Sequence, residues 1–136
     1  MVFGTFDLVH PGHLSFFRQA KKLGDYLIAV VARDKNSEGA KGRPPRNNEK
    51  MRLANVRKTK LVNKAIIGSR TYNFYRTIRT YKPEIICLGY DQKPTVRRLK
   101  SDLKRHRIKN LQVIRLKPHR PNIFKSSKIL NFSSDT

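Results

Sequence analysis

Short apolar segments alternate with longer amphipathic segments along this chain. The apolar segments are rich in β-branched residues and occupy residues 1–3, 26–32, 65–67, 85–88 and 113–116. This alternation is typical of strands separated by helices, and it predicts a parallel sheet with helices packed on both faces. The expected fold class is therefore α/β, with one domain of three layers and a mostly parallel sheet.

The first helix is predicted to start at Pro11, because a proline at the first helical position loses no hydrogen bond. We expect the helix to end before Gly24, since glycine readily adopts the left-handed conformation of a helix stop. Its buried stripe follows the helical period. The stripe consists of Leu14, Phe17, Ala20 and Leu23.

Three further helices are predicted downstream. Asn47 or Asn48 can cap a helix that runs to about Lys58. Residues 72–80 form a weaker helix, and another helix combines an apolar seam with a nearly all-basic opposite face. That seam consists of Val96, Leu99 and Leu103.

The length of 136 residues suits one domain, which we place at residues 1–131, with a flexible tail at 132–136. Only three residues precede Gly4, so the predicted first strand is short and we expect it to be truncated. Residues 38–46 hold two glycines, two prolines and three cations, a composition that predicts a mobile basic loop.

Charge and hydropathy narrow the classes of partner and compartment. Lys and Arg total 31 against 9 Asp and Glu, a net charge of +22 that favours polyanionic partners. The longest apolar run has seven residues, fewer than the roughly 20 that a membrane-spanning helix needs. No secretory signal is visible, and the single cysteine, Cys87, lies in an apolar segment and is predicted to be a packing residue. These features predict a cytoplasmic protein with no membrane partner.

The run GTFDLVHPGH at residues 4–13 joins the first predicted strand to the first predicted helix. His10 and His13 are three positions apart at the helix N-terminus, where free N–H groups and the helix dipole favour an anion. Gly4 and Gly12 would let a ligand approach the backbone closely. The run predicts a phosphate site; the alternative, left open, is a histidine pair satisfied by backbone carbonyls.

The same ten residues contain every fixed position of the signature GTFDxxHxGH, and on them the chain resembles the cytidylyltransferase-like nucleotidyltransferase superfamily. The resemblance extends over nearly the whole chain, with Arg52 at the position of the arginine that follows the family's mobile loop. Residues 31–34 (VARD) and 88–92 (LGYDQ) are most similar to archaeal-type FAD synthases. Glycerol phosphate cytidylyltransferases are similar in layout but typically carry two acids after the glycine, where this chain has Tyr90 before Asp91.

The C-terminal part resembles the final motif of the family. Arg120 precedes the run SSKI at residues 126–129. In that motif, hydroxyls and amides at a helix N-terminus would hold the β and γ phosphates. Ile123 and Lys125 replace the usual glycine and small hydroxyl, which alters the expected detail of this phosphate clamp.

The resemblance implies a Rossmann-like fold and a nucleotidyltransferase with Mg²⁺ as cofactor. The phosphate of an acceptor would attack the α-phosphorus of a nucleoside triphosphate, and pyrophosphate would leave. The most similar group implies transfer of AMP from ATP to FMN, giving FAD; the alternative is transfer of CMP from CTP to glycerol phosphate. Such relatives are commonly homodimers, whereas the high charge would oppose self-association, so a homodimer is left open.

The resemblance also implies a set of site residues. His10, His13 and Arg120 would be catalytic. The nucleotide would be bound by Thr5, Phe6, His10, Pro11, Gly12, His13, Asp91, Ser126 and Ser127. Lys41 on the loop and Arg52 on the following helix would add phosphate contacts.

Three carboxylates follow predicted strands, independently of any resemblance. Asp7, Asp34 and Asp91 come just beyond the carboxyl ends of strands, where open α/β sheets bind ligands. Asp7 would orient the phosphate-binding turn or assist Mg²⁺, and Asp91 would hold the acceptor or the base. The alternative for these residues is a structural role as caps and turn residues.

A non-catalytic module that binds nucleic acid is the hypothesis from another class. This hypothesis rests on the net charge and on one basic helix face. The simpler interpretation of that face is that its cations are solvated. That face consists of Arg97, Arg98, Lys100, Lys104, Arg105 and Arg107. Because no aromatic residues are interleaved with these cations in a stacking pattern, nucleic acid is not the expected partner.

Overall fold

The computed structural model describes residues 1–36, 45–70 and 73–119. Within these ranges the strands are β1 (Val2–Gly4), β2 (Ile28–Val31), β3 (Lys64–Ile67), β4 (Ile85–Leu88) and β5 (Gln112–Arg115). The helices are α1 (Pro11–Lys21), α2 (Glu49–Lys58), α3 (Phe74–Tyr81) and α4 (Val96–Arg105). All five predicted strands are confirmed, and their bounds differ from the apolar segments by a few residues at most.

The strands form one sheet in the order β3-β2-β1-β4-β5, and every described pair is parallel. The chain moves outward from β1 through β2 to β3 and then returns to place β4 on the other side of β1. The strand order therefore reverses between β1 and β4, which is where sheets of this kind open a crevice at their carboxyl ends.

The two faces of the sheet carry separate apolar layers. On one face, Phe17 of α1 and Val56 of α2 pack over Ala29 and Val31. On the other face, the helices contribute Ile78 of α3 and Leu99 and Leu103 of α4. These side chains pack over three residues of the sheet, Val30, Ile86 and Val113. Because side chains alternate along a strand, neighbouring residues serve opposite layers. The predicted three-layer α/β architecture is confirmed.

The helix α1 starts at Pro11 and ends before Gly24, as predicted, but its C-terminal end differs from the prediction in two details. Pro11 opens the helix, whereas the helix stops at Lys21 and leaves Leu23 40% exposed, so Leu23 does not join the buried stripe. Gly24 does not adopt left-handed backbone, because the N–H of Lys22 bonds back into the helix and the chain leaves by a right-handed turn. His13 takes part in the buried stripe instead.

The other helices begin at capping side chains. Asn48 caps α2, where its Oδ1 accepts from the N–H of Met51 at 2.8 Å. Asn73 caps α3 and Thr95 caps α4 in the same way. These side chains satisfy backbone N–H groups that have no partner within their own helix.

Several predictions fall outside the described residues. They concern the mobile loop with Lys41 and Arg43, the C-terminal residues Arg120, Ser126 and Ser127, and the tail at 132–136. In the part of the chain that is described, no helix combines the length and the hydropathy needed to cross a bilayer. Cys87 is buried on β4, as predicted, and burial raises the pKa of its thiol.

Candidate active site

A cavity of about 1350 Å³ opens at the carboxyl ends of β1 and β4. The turn at residues 4–13 forms one wall, and the loop at residues 89–94, which we name the β4 loop, forms another. α3 and α4 close the cavity on the other face of the sheet. The cavity lies at the reversal of strand order, the position where an open parallel sheet is expected to bind its ligand.

The predicted nucleotide-binding residues of the first turn are brought together on this cavity. Its lining includes Thr5, Phe6, Asp7, His10, Pro11, Gly12, His13 and, from the β4 loop, Asp91. Asp7 and Asp91 thus follow β1 and β4 at the ligand-binding edge, as their sequence positions predict.

The turn is anchored in the core by the side chain of Phe6. Its ring is buried against Phe17, at a centroid distance of 5.2 Å, and its backbone adopts a positive φ of 52°. A Cβ at Gly4 would lie 2.7 Å from that ring. We predicted that Gly4 makes room for a ligand; the structure shows that it makes room for Phe6.

His10 and His13 form a stacked pair at the start of α1. The Nδ1 of His10 accepts from the N–H of Gly12 at 3.0 Å, and the N–H of His10 donates to the Nδ1 of His13 at 3.3 Å. The ring centroids are 4.0 Å apart and the planes differ by 27°. The Nδ1 atoms are thus held by backbone N–H groups, not by carbonyls as in the alternative. A neutral imidazole whose Nδ1 accepts a hydrogen bond carries its proton on Nε2.

Arg52 does not reach the cavity, which corrects its assignment as a phosphate contact. Its side chain is fully buried on α2. The guanidinium donates to the carbonyls of Thr5 and Ala32, both at 2.8 Å, and of Asn47 at 3.0 Å. It also donates to Asp34 at 2.6 Å. With these bonds, Arg52 positions the turn relative to β2 and α2, and Asp34 has a structural role.

Asp7 connects the turn to the start of α2. Its two carboxylate oxygens accept from the backbone N–H groups of Arg46 at 2.8 Å and Asn47 at 2.9 Å. The Asn47 side chain donates to the Asp7 carbonyl at 2.9 Å. The orienting role predicted for Asp7 is therefore present in the structure.

The β4 loop is held by two side chains that the sequence analysis did not single out. Gln92 accepts from the N–H of Gly89 at 3.0 Å and donates to the carbonyl of Phe3 at 2.8 Å. Arg115, at the end of β5, donates to the carbonyls of Gly89 at 2.7 Å and Pro94 at 3.2 Å, and also to that of Gln92. The sequence signal for Arg115 is that it is the single charged residue in the apolar segment at 113–116.

This anchoring presents Tyr90 and Asp91 to the cavity. Both residues are exposed and belong to its lining. Arg97, Lys100 and Lys104 on α4 are exposed and lie outside the lining, in agreement with a solvated face. Arg98 differs from them, because it lines the cavity.

A family model described as cytidylyltransferase-like matches residues 1–133. The chain therefore belongs to the cytidylyltransferase-like family.

Among curated proteins, it is similar to the FAD synthase of Aciduliprofundum boonei, 41% identical over 119 residues, covering 88% of this chain and 78% of that protein. The FAD synthase of Thermococcus sibiricus is 39% identical over 128 residues, covering 93% and 86% respectively. Among solved structures, a Thermoplasma volcanium protein titled lipopolysaccharide core biosynthesis protein matches with a TM-score of 0.83 and 37% identity, covering 88% of this chain and 96% of that one.

Proposed function

We propose that this nucleotidyltransferase transfers AMP from ATP to FMN, giving FAD and pyrophosphate. A phosphate oxygen of FMN forms a bond to the α-phosphorus of ATP, and the bond from that phosphorus to the oxygen bridging to the β-phosphorus breaks. The observation that carries the proposal is the stacked His10–His13 pair, held by backbone N–H groups at the N-terminus of α1 beside the cavity. The similarity to FAD synthases supports the choice of nucleotide and acceptor.

The histidine pair acts on the charge that develops during the transfer. With Nδ1 occupied, the Nε2–H groups of His10 and His13 donate to oxygens of the α and β phosphates. The positive end of the α1 helix dipole adds to this stabilisation. Since neither histidine attacks phosphorus, the displacement is direct, and catalysis rests on positioning and charge stabilisation.

The position of the pair depends on the groups behind it. Arg52 holds the carbonyl of Thr5, and Phe6 is packed in the core, so the turn cannot drift relative to the sheet. Asp91 on the β4 loop accepts a hydrogen bond from the amine of the base. The resemblance to the family adds contacts to the β and γ phosphates. These would come from Lys41, Arg120, Ser126 and Ser127.

A divalent metal takes part in nucleotidyl transfer of this kind, and Mg²⁺ is the ion that we propose. Among the described residues there is no group of three or more His, Cys, Asp or Glu side chains that would hold a metal. Mg²⁺ does not require such a group, because it is commonly held by substrate phosphates together with one or two carboxylates. Asp7 is the carboxylate that the turn at residues 4–13, which we name the histidine turn, places on the cavity. The metal would neutralise charge on the leaving pyrophosphate.

The deciding experiment combines each nucleotide with each acceptor. Purified full-length chain is incubated with ATP or CTP, FMN or glycerol 3-phosphate, and Mg²⁺, while pyrophosphate release and FAD are measured. Of the four combinations of nucleotide and acceptor, we expect turnover only when ATP is combined with FMN. Turnover only with CTP and glycerol 3-phosphate would contradict the flavin assignment and leave nucleotidyl transfer intact.

A further inference from the structure

The cavity continues beyond the histidine turn to the opposite face of the sheet. There it forms a crevice between the sheet and α3 and α4, which we name the α3/α4 crevice. Its walls are apolar and comprise Phe3, Val30, Phe74, Ile78 and Leu99. The whole cavity of about 1350 Å³ exceeds the range of about 300 to 1,000 Å³ that is usual for one small ligand. It therefore has room for an apolar group in addition to the nucleotide.

The shape of the crevice suits a flat ring. Phe3 on β1 and Phe74 on α3 lie with ring centroids 5.6 Å apart and planes inclined at 55°. Leu99 and Ile78 are buried beside them. Aromatic and branched aliphatic walls of this kind favour a planar aromatic ligand through area burial and ring contacts. Triphosphate chemistry alone does not require them.

The rim of the crevice carries one oriented cation. Arg98 on α4 donates through Nε to Asp102 at 3.4 Å. Its side chain is 69% exposed, whereas that of Asp102 is 13% exposed. Among the described residues, Arg98 bonds to Asp102 through Nε, and the residue belongs to the cavity lining.

The Asp102 carboxylate beside Arg98 also has partners other than Arg98. Asp102 also pairs with Arg105 and accepts from the hydroxyl of Tyr75. Burial and the Asp102 carboxylate both raise the pKa of Tyr75, which keeps that hydroxyl protonated as a donor. At Arg98 the rim therefore offers donors, since a guanidinium has no acceptor.

We infer that the α3/α4 crevice binds the isoalloxazine ring of the acceptor and that Arg98 is a specificity residue for its polar edge; this inference rests on the proposed function. An isoalloxazine has an apolar dimethylbenzene end and an opposite edge with two carbonyls that accept hydrogen bonds and one N–H that donates. The donors of the guanidinium match the carbonyls of that edge. An adenine amine would need an acceptor, and Asp102 is occupied, so the base of ATP is assigned to the β4 loop.

The test compares Arg98→Ala with Arg97→Ala, its neighbour on α4, which is exposed and lies outside the cavity lining. Both changes remove one cation from the same helix, so overall charge is matched. Quenching of flavin fluorescence measures the Kd of FMN and of riboflavin, which has the ring but no phosphate. Steady-state pyrophosphate release measures KM for FMN and for ATP. We expect Arg98→Ala to raise both Kd values and the KM for FMN about 10- to 100-fold, with KM for ATP unchanged.

The outcomes separate this inference from the proposed function. A rise in KM for ATP alone would show that the base occupies the crevice, and unchanged constants in Arg98→Ala would overturn the inference as well. An equal effect of Arg97→Ala would reduce the role of Arg98 to general charge and would also overturn it. Flavin binding that depends on Arg98, in a chain that releases no pyrophosphate from ATP and FMN, would support the crevice and refute the proposed transfer.

Discussion

Two segments border the cavity, and an arginine holds each of them. Arg52 joins the turn after β1 to the end of β2 and the start of α2, and it is fully buried. Arg115 is half-buried, and within the described parts of the chain it donates to the β4 loop, at Gly89, Gln92 and Pro94. The first arginine therefore fixes one segment relative to several others, whereas the second stabilises the shape of a single loop.

This difference corresponds to the chemistry assigned to each segment. The turn carries His10 and His13, whose donors must meet phosphoryl oxygens as charge develops, and a displacement of about 1 Å at such a group costs on the order of 100-fold in rate. The β4 loop carries Tyr90 and Asp91, which are exposed, line the cavity and are proposed to recognise a ligand. Recognition tolerates more movement than transfer, so the loop needs a weaker anchor.

Replacing Arg52 with Met is the strongest test of the comparison. The change leaves the carbonyls of Thr5, Ala32 and Asn47 without their donor and the Asp34 carboxylate without its partner. Breaking such a buried network costs about 3 to 5 kcal/mol of unfolding free energy. Urea denaturation measures this loss, and turnover should fall with it. A variant as stable as the parent would refute the anchoring role.

The histidine turn itself is tested at His13. His13→Asn keeps an acceptor near the Nδ1 position for the N–H of His10 and removes Nε2. Loss of one such donor costs about 2.7 to 4 kcal/mol of barrier, or roughly 100- to 1,000-fold in kcat. His13→Gln returns an amide nitrogen near the Nε2 position and should recover part of the rate. Near-normal kcat in the Asn variant would place the phosphate site elsewhere.

Arg115→Met tests the second anchor and is matched to the change at Arg52. Loss of charge-assisted hydrogen bonds at a half-buried site costs about 1.5 to 3 kcal/mol of stability, less than at Arg52. We expect KM for ATP to rise while kcat changes little, because the β4 loop is the proposed site of the base and the histidines are untouched. Steady-state kinetics and urea denaturation provide the measurements. A loss of kcat larger than that of the Arg52 variant would reverse the comparison.

Gly4→Ala probes how tightly the turn is packed. The new Cβ would meet the ring of Phe6 at 2.7 Å, and that ring is itself buried, so we expect a loss of about 1 to 3 kcal/mol of unfolding free energy. Gly24→Ala is the control, because nothing lies within 4 Å of its Cβ, and it should be neutral or slightly stabilising. Equal effects at the two glycines would mean that Phe6 does not constrain Gly4.

The smallest expected effect is the contribution of Cys87 to the pH dependence of stability. Cys87 lies on β4 at the position where β4 pairs with Val2 of β1. Burial raises the pKa of its thiol, so the folded chain retains the proton at a pH where the unfolded chain loses it. Stability from this group is therefore present below the ordinary thiol pKa and declines as pH rises through the folded value. Native chain should react slowly with a thiol reagent at pH 8 and rapidly in urea. Equal rates would show that the junction of β1 and β4 is open.

Much of the fold was predictable because it depends on short-range patterns. The apolar segments locate the strands, and Pro11 and Asn48 start their helices, since each acts on groups within one helical turn. The conformation of the stop after α1 and the exposure of Leu23 were not predictable in this way. Gly24 permits a left-handed stop, but the chain leaves the helix earlier through the hydrogen bonds of Lys22 and leaves Leu23 exposed.

The candidate site divides along the same line. The signature at residues 4–13 places His10 and His13 at the start of a helix without any tertiary information. The role of Arg52 was misassigned, because its partners are Thr5, 47 residues away, and Ala32, 20 residues away. A cation read in sequence indicates charge only, and burial decides whether that charge meets a ligand or the backbone.

Neighbouring residues in the chain encode the succession of strands and helices, the histidine turn and the resemblance to a nucleotidyltransferase family, so these could be predicted without a structure. Tertiary structure alone decided that Arg52 and Arg115 are internal anchors and that Arg98 borders an apolar crevice. The physical reason is that these roles depend on carbonyls, carboxylates and rings contributed by distant segments, which only the packed sheet and helices bring within hydrogen-bonding distance.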